Sequence, residues 1–308
     1  MKKILFITAI IAVVITGAYF LLSNVDQKIE NGNDDVINVM VSILPQINFV
    51  EKIGGNKVQV TEMIPPGFSP ATYDPSPDQL RKLQDADIYF RIGHIPFEKA
   101  QMEKLEKLNT KMKVIDTSNG IELLKLAAHS HGDKDEHEKE KEHEHEAGND
   151  PHIWLSPKLV KIQAKNIYNA LVEYSPENKD YFTRNYNQFT KELDELDQKL
   201  TNVFAPIEGQ TILVFHPAFG YLADAYGFRQ EAIEIEGKEP TPAQLQEIID
   251  KARNNNIKVI FVQAQFSPES AKSVAQEING AVVQIDPLAK DYFTNLETMA
   301  ETIVTSLK

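Results

Sequence analysis

The sequence predicts an α/β protein of two similar lobes, each with a mainly parallel four-stranded sheet, joined by one long rigid helix. Three observations predict it. From residue 36 onward, short apolar runs of strand length alternate with amphipathic stretches, the pattern of βαβ units. The strand-like runs fall into two sets of four, at 36–44, 58–63, 88–92 and 112–116, then at 211–215, 231–235, 259–263 and 281–285. Between the sets, residues 177 to about 203 contain no glycine or proline. There Phe182, Tyr186, Phe189, Leu193, Leu196 and Leu200 recur every three or four residues, as one buried helical face requires.

At 1.5 Å per residue that helix spans on the order of 40 Å, the length of a whole domain. It reads as a strut, residues 177–206, between a lobe at 36–176 and a lobe at 207–308; the alternative is a long surface helix inside one lobe. Other helix starts are marked by Ser76-Pro77, Ser156-Pro157, Ser175-Pro176, Thr241-Pro242 and Ser267-Pro268. Each places a capping hydroxyl before a proline at the first helical position, where the missing N–H costs nothing.

The chain has 308 residues, 42% of them hydrophobic, enough for two cores of ordinary domain size. A net charge of −13 argues against nucleic acid, which needs a basic face, and suits a protein that attracts cations. There is no cysteine, which excludes disulfides, thiolate ligands, a thiol nucleophile and a lipid-modified cysteine anchor.

Lys2 and Lys3 precede an uncharged apolar run from residue 4 to 22. As a helix its nineteen residues reach roughly 28 Å, close to the hydrocarbon thickness of a bilayer. With no convincing A-x-A cleavage site, segment 1–24 reads as an anchor rather than a cleaved signal, although secretion after cleavage is the alternative. Lysines before the run and acidic residues after it leave the N-terminus in the cytoplasm and everything else outside. Residues 25–35 read as a flexible stalk.

The segment 129–150 holds nine acidic residues, three lysines and five histidines with hardly an apolar side chain, and is expected to be disordered. His129, His131, His137, His143 and His145 crowd into seventeen residues. Imidazoles flanked by carboxylates suit weak, exchanging capture of zinc, nickel or copper.

The other three histidines are placed differently. His152 sits in Asp150-Pro151-His152-Ile153-Trp154, just before a helix start; His216 follows the strand ending at Phe215; His94 lies two residues beyond the strand ending at Ile92. Asp286-Pro287 closes the strand ending at Ile285. Ligands of open α/β sheets bind outside the carboxyl ends of strands, where His94, His216 and Asp286 fall.

Four blocks together carry a resemblance: Pro65 to Asp78 (PPGFSPATYDPSPD), Asp150 to Pro157 (DPHIWLSP), His216 to Tyr221 (HPAFGY) and Ile285-Asp286-Pro287-Leu288. In this order they resemble the zinc/manganese solute-binding proteins of ABC transporters, and the acidic, histidine-rich insertion resembles the charged loop of the zinc-specific branch. The resemblance covers nearly the whole chain after residue 36. It implies two α/β lobes joined by one long helix, a single metal held by four side chains in the cleft between them, and delivery to a membrane permease.

Carried over by position, His152, His216 and Asp286 match three of those ligands. The fourth, a histidine in the family, is Ala71 here, and a methyl group cannot coordinate. His94 is the favoured replacement, since tight zinc storage calls for a closed tetrahedral site; otherwise water completes the shell. Imidazoles with one carboxylate and no thiolate suit zinc, whereas manganese, the alternative, prefers more oxygen. Glu98, Glu234 and Glu236 are candidates to orient the imidazoles. The resemblance is to a monomeric, non-catalytic capture protein. The rivals are a zinc hydrolase with a water-completed site, for which neither H-E-x-x-H nor a placed general base is present, and a binding protein of the same fold for another metal, a chelate or an adhesion partner.

Overall fold

A computed structural model describes residues 36–126, 148–234, 240–266 and 269–308. The anchor 1–24, the stalk 25–35, the five histidines between 129 and 145, Glu236 and the Ser267-Pro268 pair lie outside the described residues. Among the described residues no helix is long and apolar enough to cross a membrane.

The first sheet contains β1 (Ile37–Val41), β2 (Val58–Glu62), β3 (Ile88–Arg91) and β4 (Lys113–Asp116), in the order β2-β1-β3-β4, every pair parallel. The second contains β5 (Thr211–Val214), β6 (Arg229–Ala232), β7 (Val259–Gln263) and β8 (Ala281–Ile285), in the equivalent order β6-β5-β7-β8, again all parallel. The first set of connections runs through α1 (Leu44–Gly54), α2 (Pro77–Gln84) and α3 (Pro96–Leu108). After β4 come α4 (Pro157–Tyr174) and the long α5 (Lys179–Phe204); the second set uses α6 (Gly220–Tyr226), α7 (Pro242–Asn254) and α8 (Glu269–Glu277), with α9 (Tyr292–Ser306) last.

Six strands differ from their expected bounds, β2, β3, β4 and β5 by a single residue at one end and β1 and β6 by more. β1 ends at Val41 rather than 44, because Pro45 opens α1 and the Gln46 side chain accepts from the Ser42 and Ile43 amides at 3.1 and 3.3 Å. β6 begins two residues early, at Arg229: the ladder to β5 starts there, and Arg229 also reaches the Gly209 carbonyl at 2.7 Å.

Of the hydroxyl–proline helix starts, Ser76 and Thr241 cap as anticipated. Each accepts from the amide three residues on, Gln79 or Gln244, whose side chain bonds back to the cap amide. Ser156 and Ser175 precede proline without capping; Ser175 instead bonds Glu177 and Asn178 within a 3₁₀ turn at Pro176–Asn178.

The long helix α5 spans 26 residues and buries Phe182, Phe189, Leu193, Leu196, Leu200 and Phe204. Tyr186 stays half-buried, stacked on Tyr168 of α4 at 4.8 Å. Residues 37–308 form one compact unit. Its two apolar clusters are not divided one to each sheet: the larger runs from β1, β3 and α4 along α5 into β5, α6 and α9. A smaller one lies on the other face of the second sheet, among Leu213, Ile233, Ile249, Ile260 and Val274. The helix α9 returns to α1, where Tyr292 packs edge-on against Phe49 at 4.9 Å and Lys290 pairs with Glu51 at 3.0 Å.

Candidate metal centre

His152 and His216 come from opposite ends of this architecture and meet. Their Nε2 atoms are 3.3 Å apart, and the rings stand edge to face at 5.2 Å. Each ring is held from behind by a buried carboxylate: His152 Nδ1 lies 2.7 Å from Asp150 Oδ1, and His216 Nδ1 lies 2.8 Å from Glu234 Oε2. A carboxylate only accepts, so each Nδ1 carries the hydrogen and each Nε2 is left with its lone pair, the tautomer a metal needs.

Local sequence explains both placements. Asp150 is two residues before His152, so one carboxylate oxygen accepts both from the His152 backbone amide at 2.9 Å and from its ring. The Asp150 carbonyl accepts from the Tyr221 hydroxyl, which in turn accepts from the Leu124 amide. A 2.8 Å bond from the Asp150 amide to the Leu124 carbonyl, with a bridge between Lys125 and Asn149, ties the two ends of the histidine-rich insertion together beside the site. Gly220 lets α6 approach: a Cβ there would stand 2.4 Å from Asp150 Oδ2.

His216 follows β5 at the point where the strand order of the second sheet reverses, between β5 and β7. Gln263, the last residue of β7, clamps it there; its amide nitrogen donates to the His216 carbonyl at 2.6 Å and its oxygen accepts from the His216 amide at 3.2 Å. Phe266 stacks on the imidazole at 5.1 Å. Burial holds the His152 imidazole below its usual pKa, with Asp150 pulling the other way, so the ring favours the neutral form.

Asp286, the residue after β8, lines a small crevice of ≈ 30 Å³ together with Ile64, Pro65 and Phe68 of the loop after β2. Its Oδ1 accepts from Gln265 Nε2 at 2.8 Å and from the Leu288 amide at 2.9 Å; among the described residues no hydrogen bond reaches Oδ2. Trp154 spans the lobes, donating from Nε1 to the Pro287 carbonyl at 2.8 Å. Among the described residues no three His, Cys, Asp or Glu side chains converge closely enough to hold an ion, so Asp286 is not joined to the imidazole pair.

His94 is not brought there either. Gly93, at φ +102°, turns the chain as β3 ends, and the charges acting on His94 are those of Asp116, Lys99 and Arg91. The expected role of Glu98 also needs correction: its partners are Ser42, Ile92 and Gly93, not an imidazole. Ala71 lies exposed on the loop after β2, its amide bonded to Ser69. Asp150, Gln263 and Trp154 were not anticipated as supports. The Asp-x-His spacing was the available signal for the first; nothing local marked the other two.

Two equivalent parallel sheets, bridged by a long helix and facing each other across strand ends, define a solute-binding protein. The profile of the periplasmic component A of zinc-uptake complexes (ZnuA) matches residues 39–306. The high-affinity zinc uptake system protein ZnuA of Bacillus subtilis is 31% identical over 257 residues, 82% of this chain and 78% of that protein. The manganese ABC transporter substrate-binding lipoprotein PsaA of Streptococcus pneumoniae is 28% identical over 328 aligned positions, covering 98% and 99% of the two chains. A ZnuA crystal structure superposes with a TM-score of 0.80 at 38% identity, covering 89% of this chain and 100% of that one. The chain belongs to the ZnuA family, the extracytoplasmic metal-binding components of ABC metal-uptake systems.

Proposed function

We propose that this chain captures zinc outside the cytoplasmic membrane, passes it to a membrane permease and catalyses nothing. The observation that carries the choice of ion is the 3.3 Å separation of the two Nε2 atoms. Two nitrogens bound at 2.0–2.1 Å to one tetrahedral ion stand ~3.3–3.4 Å apart, so His152 and His216 are set for zinc with little movement. An acid-poor donor set of two imidazoles favours zinc over manganese.

In this reading Asp286 supplies the third donor through Oδ2, after a small rotation or loop shift narrows the cleft. Water takes the fourth place, since Ala71 has no donor and, among the described residues, His94 does not join the imidazole pair. The lobes are 36–176 and 207–308 about the 177–206 strut, the N-terminal apolar segment tethers a monomer to the membrane, and His129, His131, His137, His143 and His145 collect zinc weakly for the site. Zinc titration of the purified chain beside His216→Ala and His94→Ala tests it. Loss of tight binding in His216→Ala and parental binding in His94→Ala is expected; tight binding retained by His216→Ala would sink the site.

A further inference from the structure

The side chain of Glu98 is 2% exposed and projects from the first turn of α3, apart from the imidazole pair. Its Oε1 accepts from Ser42 Oγ and from the Ile92 amide at 2.7 Å, and its Oε2 from the Gly93 amide at 2.6 Å. Ser42 Oγ also meets the Tyr89 hydroxyl at 3.0 Å. One carboxylate thus joins the ends of β1 and β3, between which the strand order of the first sheet reverses.

The grip extends to the loop after β2. The Ile64 amide donates to the Ser42 carbonyl at 3.1 Å, and the Phe97 amide, next to Glu98, donates to the Pro70 carbonyl at 3.0 Å. Both ends of the loop 64–70 are therefore fastened to residues that Glu98 holds or adjoins. Between those ends, residues 64–68 form the wall of the crevice that faces Asp286. Among the described residues no lysine or arginine bonds Glu98; Arg91 acts only through space, and burial pushes the acid up to about 7. Burying this acid costs desolvation, and an apolar side chain in its place would leave the Ser42 hydroxyl and the Ile92 and Gly93 amides without their acceptor, so what the carboxyl secures is the joint between β1 and β3.

We propose that Glu98 is a positioning residue for metal capture: by tying β1 to β3 it sets the 64–70 loop opposite Asp286 and fixes how that carboxylate meets the ion. The proposal rests on the metal site described above. Zinc affinity is measured on the full chain by competition with a chromophoric chelator, for Glu98→Gln, Ser42→Ala, Ser42→Thr, Asp286→Ala and the Glu98→Gln/Asp286→Ala pair.

Glu98→Gln and Ser42→Ala should each weaken zinc binding about tenfold, the cost typical of losing an outer support of a metal ligand. Ser42→Thr, which keeps the hydroxyl, should restore it. The double variant should bind no worse than Asp286→Ala alone, because both changes act on one contact. Parental affinity in Glu98→Gln and Ser42→Ala, or fully additive losses in the double variant, overturns the proposal while leaving the metal site standing. A parent chain that binds no zinc overturns both. If Glu98→Gln does not fold, the Ser42 pair decides: threonine must recover what alanine loses.

Discussion

The indole nitrogen of Trp154 donates to the carbonyl of Pro287 across the two lobes, at 2.8 Å. Trp154 is adjacent in space to His152, with ring centroids 5.1 Å apart, and Pro287 directly follows Asp286. A single bond therefore ties the segment carrying one imidazole to the turn carrying the carboxylate. Trp154→Phe should keep most of the packing and lose the bond, lowering stability by about 1–3 kcal/mol for a buried carbonyl left unpaired. Denaturant unfolding measures this; an unchanged midpoint would show that the bond contributes nothing.

Asp150 and Glu234 fix the tautomers of the two imidazoles, so Asp150→Asn and Glu234→Gln should each weaken zinc binding by about 10–100-fold. Neither residue touches the ion in this arrangement. Chelator competition distinguishes the outcomes, and affinity equal to the parent in both variants would contradict the proposed orientation.

Gly220→Ala should act on the same support from outside. A methyl carbon 2.4 Å from Asp150 Oδ2 forces the carboxylate or α6 to move, and Asp150 carries His152 with it. Weakened zinc binding with far-ultraviolet circular dichroism like the parent is expected. Parental affinity would mean that α6 yields freely.

The stability of the metal-free chain should respond to pH through two groups of opposite sign. Burial depresses the His152 imidazole, so below its unfolded pKa of about 6.5 the unfolded chain takes up a proton that the fold resists; stability from this group is present above that pH and lost as pH falls. Burial raises Glu98 from 4.5 to about 7, so the fold keeps a proton that the unfolded chain releases, and stability from this group declines as pH rises across that window. The Glu98 contribution is on the order of 3 kcal/mol. Urea unfolding of parent and Glu98→Gln between pH 4.5 and 8 should show their difference changing by about that amount; parallel curves would contradict it.

Zinc affinity itself should fall in acid, because protons compete for the two Nε2 lone pairs. The decline belongs below about pH 6, given a free imidazole near 6.5 and a His152 held lower by burial. A flat isotherm series from pH 7.5 to 5 would rule out imidazole ligation.

Most of the architecture was legible because its signals are local. Strands at 259–263 and 281–285 have the expected bounds, and the apolar period of α5 follows from residues already adjacent on one helical face. The two larger errors differ in kind. The Gln46 side chain ends β1 by bonding amides only three and four residues back, a local signal that the apolar run 36–44 hid, whereas β6 starts where its register with β5, eighteen residues earlier, sets it.

The candidate site divides in the same way. His152 and His216 could be read from strand ends and blocks, but their meeting at 3.3 Å depends on two lobes folding against α5. His94 shows the limit: a histidine just past a strand end satisfied the rule, yet among the described residues it does not join the imidazole pair, and Gly93 before it turns the chain at φ +102°. Glu98 shows it again, since an acid near a cleft was expected to serve an imidazole and serves backbone amides instead.

The return of α9 to α1 has a consequence for biosynthesis. Phe49 packs on the Phe189 ring of α5 at 5.9 Å and, edge-on, on Tyr292, more than two hundred residues later. During synthesis α1 is therefore made long before α9 exists to cover it, and this part of the first lobe's apolar surface waits for the last helix.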